Sequence, residues 1–202
     1  MTRISQGSGV FMCTDVGLDD FVTLGARAVI DLSLFARPNA GWSASPMARS
    51  GVGPLIAPVA HGADQLAAVI DDIFRAANHG IGSVLIEDIG VLSVFDALRR
   101  AGRPAADMQA KVSVMLPVAN PASARVIAGL GASTIKLPTD LTVRDRRDTC
   151  GRRCSDVYVE CPDNLGGFTR YQQIPELVRV AAPSICSSAC AARTIPIRPD
   201  RT

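Results

Sequence analysis

Lysine is scarce in this chain: among 21 basic residues it stands only at positions 111 and 136. Lys136 interrupts an apolar run between Ile135 and Leu137. An ammonium facing inward from such a run can bind an anion or, with a depressed pKa, form a Schiff base. Pointing outward, or paired with a carboxylate on a neighbouring strand, it is structural. Lys111 opens its own run and is expected to be structural. Glu87 and Glu160 lie within or at the end of β-rich runs, where an unpaired buried carboxylate would cost energy, so a general base or a ligand is expected of them. His61 follows Leu55–Ala60 and carries the side chain best suited to acid or base work near neutral pH. Glu87, Glu160, His61 and Lys136 therefore form the candidate catalytic set.

Substrate contacts are expected from Trp42, Asp140, Asp163 and Asn164. Trp42 sits in the stretch Ala36–Gly53, long for a strand-to-helix connection, which usually takes about 2–6 residues. Asp163 and Asn164 precede Gly166 and Gly167, which permit close backbone approach to a ligand. Asp140 and Asp88 are equally suited to capping the helix that follows each of them, and Asn120 before Pro121 reads as a helix cap. Cys150, Cys154, Cys186 and Cys190 form two Cys-x3-Cys pairs. Metal sites more often use two- or four-residue gaps, so no metal site is expected. No cofactor is indicated. Cys13 and Cys161 are expected to be small buried hydrophobes.

Strand–helix alternation would position these groups. Candidate strands are Ala28–Phe35, Leu55–Ala60, Ser83–Asp88, Lys111–Leu116, Thr134–Leu137 and Asp156–Cys161, with Gly9–Cys13 as a further one. From Ala28 onward their starts recur at near-regular intervals, and helical patterns fill most of the gaps. Leu66, Val69, Ile70, Ile73 and Phe74 mark one helical face, and Val91, Val94, Phe95 and Leu98 another. Further helices are expected over Leu18–Leu24, from Pro121 to Gly131, and from Ile174. Gly25, Gly80 and Gly131 are each placed to end a helix in the left-handed conformation. Alternation of this kind predicts a parallel sheet with right-handed crossovers. No Gly-rich phosphate fingerprint follows a strand, so the α/β fold expected is a (β/α) TIM-barrel-like one. It is incomplete, with about six or seven βα units against the eight of a closed barrel. The polar residues at strand C-termini would then share one rim.

Several strings resemble one family: Cys13–Leu18, Ile30–Pro38, Gln109–Pro121, Leu137–Leu141 and Val159–Phe168. Together they are similar to an actinobacterial branch of the peptidase U32 family, the collagenase-like peptidases, over most of residues 9–183. The resemblance implies a barrel and a hydrolase acting on an unassigned substrate, a peptide or a small molecule. The family's usual signature, a Glu and two Cys among Gly and small residues, is not found here. Residues 144–155 offer almost no apolar face for the helix expected there, and 184–202 are rich in Ser, Cys, Arg and Pro. A one-nucleotide shift of reading frame would account for both. The domain division expected is 1–183 as the barrel-like unit and 184–202 as an irregular tail, which would leave the barrel truncated. Two further readings follow: a non-catalytic binding or interaction barrel, and a truncated inactive product that self-associates through open barrel edges.

Composition narrows the classes. Hydrophobic residues make up 48% of the chain and aromatics only 4%. The core must therefore be mainly aliphatic, as in β/α layers. A net charge of +2 predicts no nucleic-acid partner. No run approaches the roughly 18 apolar residues of a membrane span, and no secretory signal is visible. A cytoplasmic protein is expected.

Overall fold

The computed structural model describes residues 2–6, 9–38, 50–51, 58–103, 105–150, 155–160, 169–181 and 186–188. Among these residues seven strands alternate with six α-helices in chain order. They are β1 Thr2–Gln6, α1 Asp15–Ala28, β2 Ile30–Ala36, α2 Gly62–Asn78, β3 Ser83–Ile86, α3 Ile89–Arg100 and β4 Gln109–Val112. Then come α4 Pro121–Gly129, β5 Thr134–Lys136, α5 Val143–Cys150, β6 Ser155–Glu160, α6 Ile174–Ala181 and β7 Cys186–Ser188.

Each strand pairs in parallel with the next, in the order β1-β2-β3-β4-β5-β6-β7. A doubly wound sheet reverses its order midway and carries helices on both faces. Here the order never reverses, so right-handed crossovers put every helix on one face. The sheet then curls away from them. Lys111 Nζ on β4 reaches Ser5 Oγ on β1 at 3.4 Å. Three strand spacings in a flat sheet would be roughly 14 Å, so the strands wrap around a shared interior. The architecture is an incomplete TIM-type barrel.

Strand alternation sorts the residues. Leu34, Ala36, Val84, Ile86, Ala110, Val112 and Ile135 face outward and pack with Val69, Ile73, Leu92, Phe95 and Ile127 of the helices into one core. The opposite face carries Ser33, Ser83, Leu85, Lys111, Ser113, Thr134 and Asp156, all buried. The apolar core therefore lies between sheet and helices, and the barrel interior is largely polar.

Helix ends set where each strand begins. Gly80 at φ 89° and Gly131 at φ 88° supply the left-handed residue after α2 and α4. Paired backbone bonds close both turns, Ile81 to Ala76 at 3.0 Å and Ala132 to Ile127 at 3.3 Å, the pattern of a glycine-terminated helix. Asn120 caps α4 as its type predicts. Its side chain accepts from Ala122 and Ser123, and the Ser123 hydroxyl faces the Asn120 amide at 3.3 Å.

Three expectations are corrected. Gly25 does not end α1. It lies inside the helix, where an added Cβ would meet Leu32 Cδ1 at 2.5 Å, and the left-handed residue is Val29 at φ 55°. Gly9–Cys13 is not a strand: Val10–Met12 form a single 3-10 turn closed by Cys13 N to Val10 O at 3.0 Å, and β1 lies earlier. A short apolar run fits either structure. The strand expected over Leu55–Ala60 ends in turn and bend at Pro58–Ala60, its earlier part lying outside the described residues. The helix expected over 144–155 does form, as α5, and in place of an apolar face it buries Arg146 and Thr149.

Within the segment 184–202, Cys186–Ser188 pair with Val157–Glu160 as β7. Among the described residues no helix is long and apolar enough to cross a membrane.

Candidate functional site

Glu87 follows β3 directly and is buried at the mouth of the interior. Its Oε2 accepts from Arg37 Nε at 3.0 Å, and its Oε1 accepts from Ser113 Oγ at 2.9 Å. The pair is asymmetric: the carboxylate side chain is 1% exposed and the guanidinium 45%. Arg37 also lies over the Phe35 ring at 4.4 Å. Register explains the grouping. Ala36 pairs with Ile86 and Ile86 with Val112, so the next residues on each strand, Arg37, Glu87 and Ser113, meet side by side.

Continuing the same register, Val112 lies opposite Ile135, which sets Ser113 beside Lys136, and Lys136 pairs with Asp156. Lys136 Nζ lies over the Tyr158 ring at 4.5 Å, a cation–π contact on the interior side. One residue pair deeper, Lys111 Nζ meets Asp156 Oδ2 at 3.0 Å, both side chains nearly fully buried. The interior thus carries a continuous polar row across five strands: Arg37–Glu87–Ser113, then Lys136, Asp156 and Lys111. Behind it the Ser33 hydroxyl is buried without a hydrogen-bond partner.

This arrangement puts a carboxylate, a hydroxyl bonded to it and an ammonium on adjacent strands at the C-terminal mouth. Such a set can abstract a proton and stabilise developing negative charge. Among the described residues no three His, Cys, Asp or Glu side chains gather closely enough to hold a metal ion.

Of the sequence-derived candidates, Glu87 and Lys136 fall on this row. Glu160 ends β6, two residues beyond Tyr158 on the same strand. His61 stands exposed at the N-cap position of α2, its backbone amide bonded to Gln65 Oε1 at 2.7 Å. Asp140 is exposed in the turn after β5. Trp42, Asp163 and Asn164 lie outside the described residues. Asp88 is a cap: it accepts from Val91 N at 2.8 Å and also from Ala60 N at 3.0 Å, tying the approach to α2 onto the end of β3.

Arg37, Ser113, Lys111 and Asp156 were not among the expected site residues. The signal for Lys111 was its place in an otherwise apolar run, the same signal that marked Lys136. It lies mid-strand rather than at the strand's start, because β4 begins two residues earlier at Gln109. A cavity of about 230 Å³ lies at the opposite pole, lined by Gly25, Asp31, Leu32, Gly80 and Gly82 among others. It shares no residue with the polar row.

No family model matches the sequence, and no curated protein matches it. Solved structures do. A U32 peptidase superposes with a TM-score of 0.50 at 14% identity, covering 90% of this chain and 70% of its own. CutC of Streptococcus agalactiae, assigned to copper homeostasis, superposes at 0.57 and 11% identity, covering 89% and 84%. These likenesses establish a barrel-type fold, and at such identities they establish the fold alone.

Proposed function

We propose that this chain is a U32-peptidase-like barrel hydrolase whose site is the polar mouth of the half-barrel. The observation that carries the reading is the buried Glu87 carboxylate, held between Arg37 and the Ser113 hydroxyl at the C-terminal end of the strands. Barrel enzymes place their chemistry at that end. In this reading Glu87 is the general base, acting on water or on the Ser113 hydroxyl, and Lys136 stabilises the oxyanion. Glu160 and His61 are the remaining acid–base candidates. Trp42, Asp140, Asp163 and Asn164 contact a peptide or small-molecule substrate, in the cytoplasm.

The test is hydrolysis of a mixed peptide pool and of gelatin, followed by mass spectrometry. Glu87→Gln keeps the side-chain shape and an acceptor for Ser113, so it is expected to lower turnover at least about 100-fold, the contribution typical of a positioned base. Unchanged turnover in that variant would remove Glu87 from the chemistry. A second reading, a binding barrel without catalysis, is favoured by the fact that both Glu87 oxygens already have partners. It predicts peptide capture with no cleavage by the unaltered protein.

A further inference from the structure

Arg37 is held at the mouth in several ways, and none of them uses the outer edge of its guanidinium. Its Nε donates to Glu87 Oε2 at 3.0 Å, and Glu87 is itself fixed from the other side by Ser113 Oγ at 2.9 Å. The guanidinium lies over the Phe35 ring at 4.4 Å. Pro38 follows, which disfavours helical backbone at Arg37. Nη1 and Nη2 donate to nothing among the described residues, and the side chain is 45% exposed. An apolar surface adjoins it. The 3-10 turn Val10–Met12 starts against the end of β2, where a Cβ on Gly9 would lie 3.1 Å from Phe35 O. That turn presents Phe11 and Met12 to solvent, each more than half exposed.

A guanidinium whose orientation is already fixed loses little further freedom when it binds a ligand. Its two Nη groups form a planar fork that matches the two oxygens of a carboxylate. The pairing with Glu87 occupies Nε and leaves that fork intact. It also selects among anions, because the Glu87 carboxylate repels a dianion more strongly than a monoanion. Phe11 and Met12 add the other half of the requirement: covering them removes apolar surface from water. The ligand these features fit carries a carboxylate close to an apolar group.

We propose that Arg37 recognises the substrate by its carboxylate, with Phe11 and Met12 receiving the apolar group beside it, as at the C-terminal end of a peptide finishing in an apolar residue. This rests on the reading of the mouth as the substrate site and narrows the substrate to an acid. Arg37 then orients two partners at once, Glu87 through Nε and the ligand through its Nη fork.

The experiment titrates 4-methylpentanoate by calorimetry at constant ionic strength. That probe joins a carboxylate to a leucine-like chain and has no bond to hydrolyse. Its amide is the uncharged twin, and acetate keeps the carboxylate without the chain. The acid is expected to bind the unaltered chain about ten-fold or more tighter than the amide, as loss of a charge-assisted bond implies, and also tighter than acetate. Arg37→Lys keeps a cation beside Glu87 and loses the fork, so the advantage of acid over amide should shrink about three-fold or more. Phe11→Ser should weaken 4-methylpentanoate and leave acetate unchanged. Equal Kd values for acid and amide, or an undiminished advantage in Arg37→Lys, overturn the proposal; acid no tighter than acetate overturns its apolar half. If Arg37→Lys does not fold, the comparison of acid with amide on the unaltered chain decides alone. Acid-selective binding without cleavage of any peptide removes the hydrolase reading and leaves this site standing. Cleavage that is indifferent to amidation of the peptide C-terminus removes this site alone.

Discussion

Removing one partner of the Lys111–Asp156 pair tests whether the barrel interior is closed to water at that depth. The two side chains are 4% and 3% exposed and 3.0 Å apart. Asp156→Asn would leave the Lys111 ammonium buried, with the 3.4 Å contact to Ser5 as its other support among the described residues. Breaking a buried pair in this way costs about 3–5 kcal/mol, most of it from the stranded charge. For a domain of this length each kcal/mol moves the midpoint by about 2–4 °C, so the expected fall in Tm is roughly 6–20 °C. Replacing both, as Lys111→Met with Asp156→Leu, removes both charges and should recover most of that loss, since apolar replacements of buried pairs are commonly neutral or better. Urea unfolding of the two single variants and the double variant closes the cycle. A loss below about 0.5 kcal/mol in Asp156→Asn, the range of ordinary surface substitutions, would mean that water reaches the pair. A double variant as unstable as the single one would refute the stranded-charge argument.

Two further outcomes follow from other positions. Val29 holds a left-handed conformation at φ 55° and ψ 44° while 80% exposed, so Val29→Gly relieves backbone strain and loses no packing. A gain of about 1 kcal/mol in urea unfolding is expected, and a loss would contradict the observed conformation of that residue. Asp72 has its pKa raised above the ordinary 3.8, chiefly by burial, with Asp71 adding to the rise and Arg75 opposing it. A raised acid favours the folded state only when protonated, so its contribution is present below the ordinary value and is lost as pH rises through the folded one. Asp72→Asn should therefore raise Tm at pH 7, and the gain should vanish as the pH falls below 3.8. A gain independent of pH would place its cause outside this titration.

The regular spacing of aliphatic runs was enough to read the parallel α/β alternation, because each run had to be a strand buried on one face against helices. Asn120-Pro121 and Gly131 were legible for the same reason: their roles are local and depend on backbone conformation within a few residues. What could not be read was cross-strand partnership. Nothing near Lys111 in the chain announces Asp156, two strands further on, or Ser5 on the opposite wall. Lys136 and Lys111 look alike in sequence, and only the register separates a lysine stacked on Tyr158 from one in a buried ion pair. Helix α5 falls where the alternation requires one, but its buried face is not legible, because that face is made by an arginine whose hydrogen bonds go to a turn, and hydrophobic periodicity cannot register that. Glu87 was found, but its partners Arg37 and Ser113 were not, since they come together only through the alignment of three strands.

The unreversed strand order also bears on how the molecule can be built. Each strand needs only the one preceding it in the chain, so a barrel of this kind can lengthen one βα unit at a time as the polypeptide is synthesised, with domains forming N-terminal first. At every stage the newest strand presents bare amides and carbonyls along one side, open to the next strand or to a stray one. The growing end is therefore both the template for correct addition and the point at which a partly made chain is most exposed to mispairing.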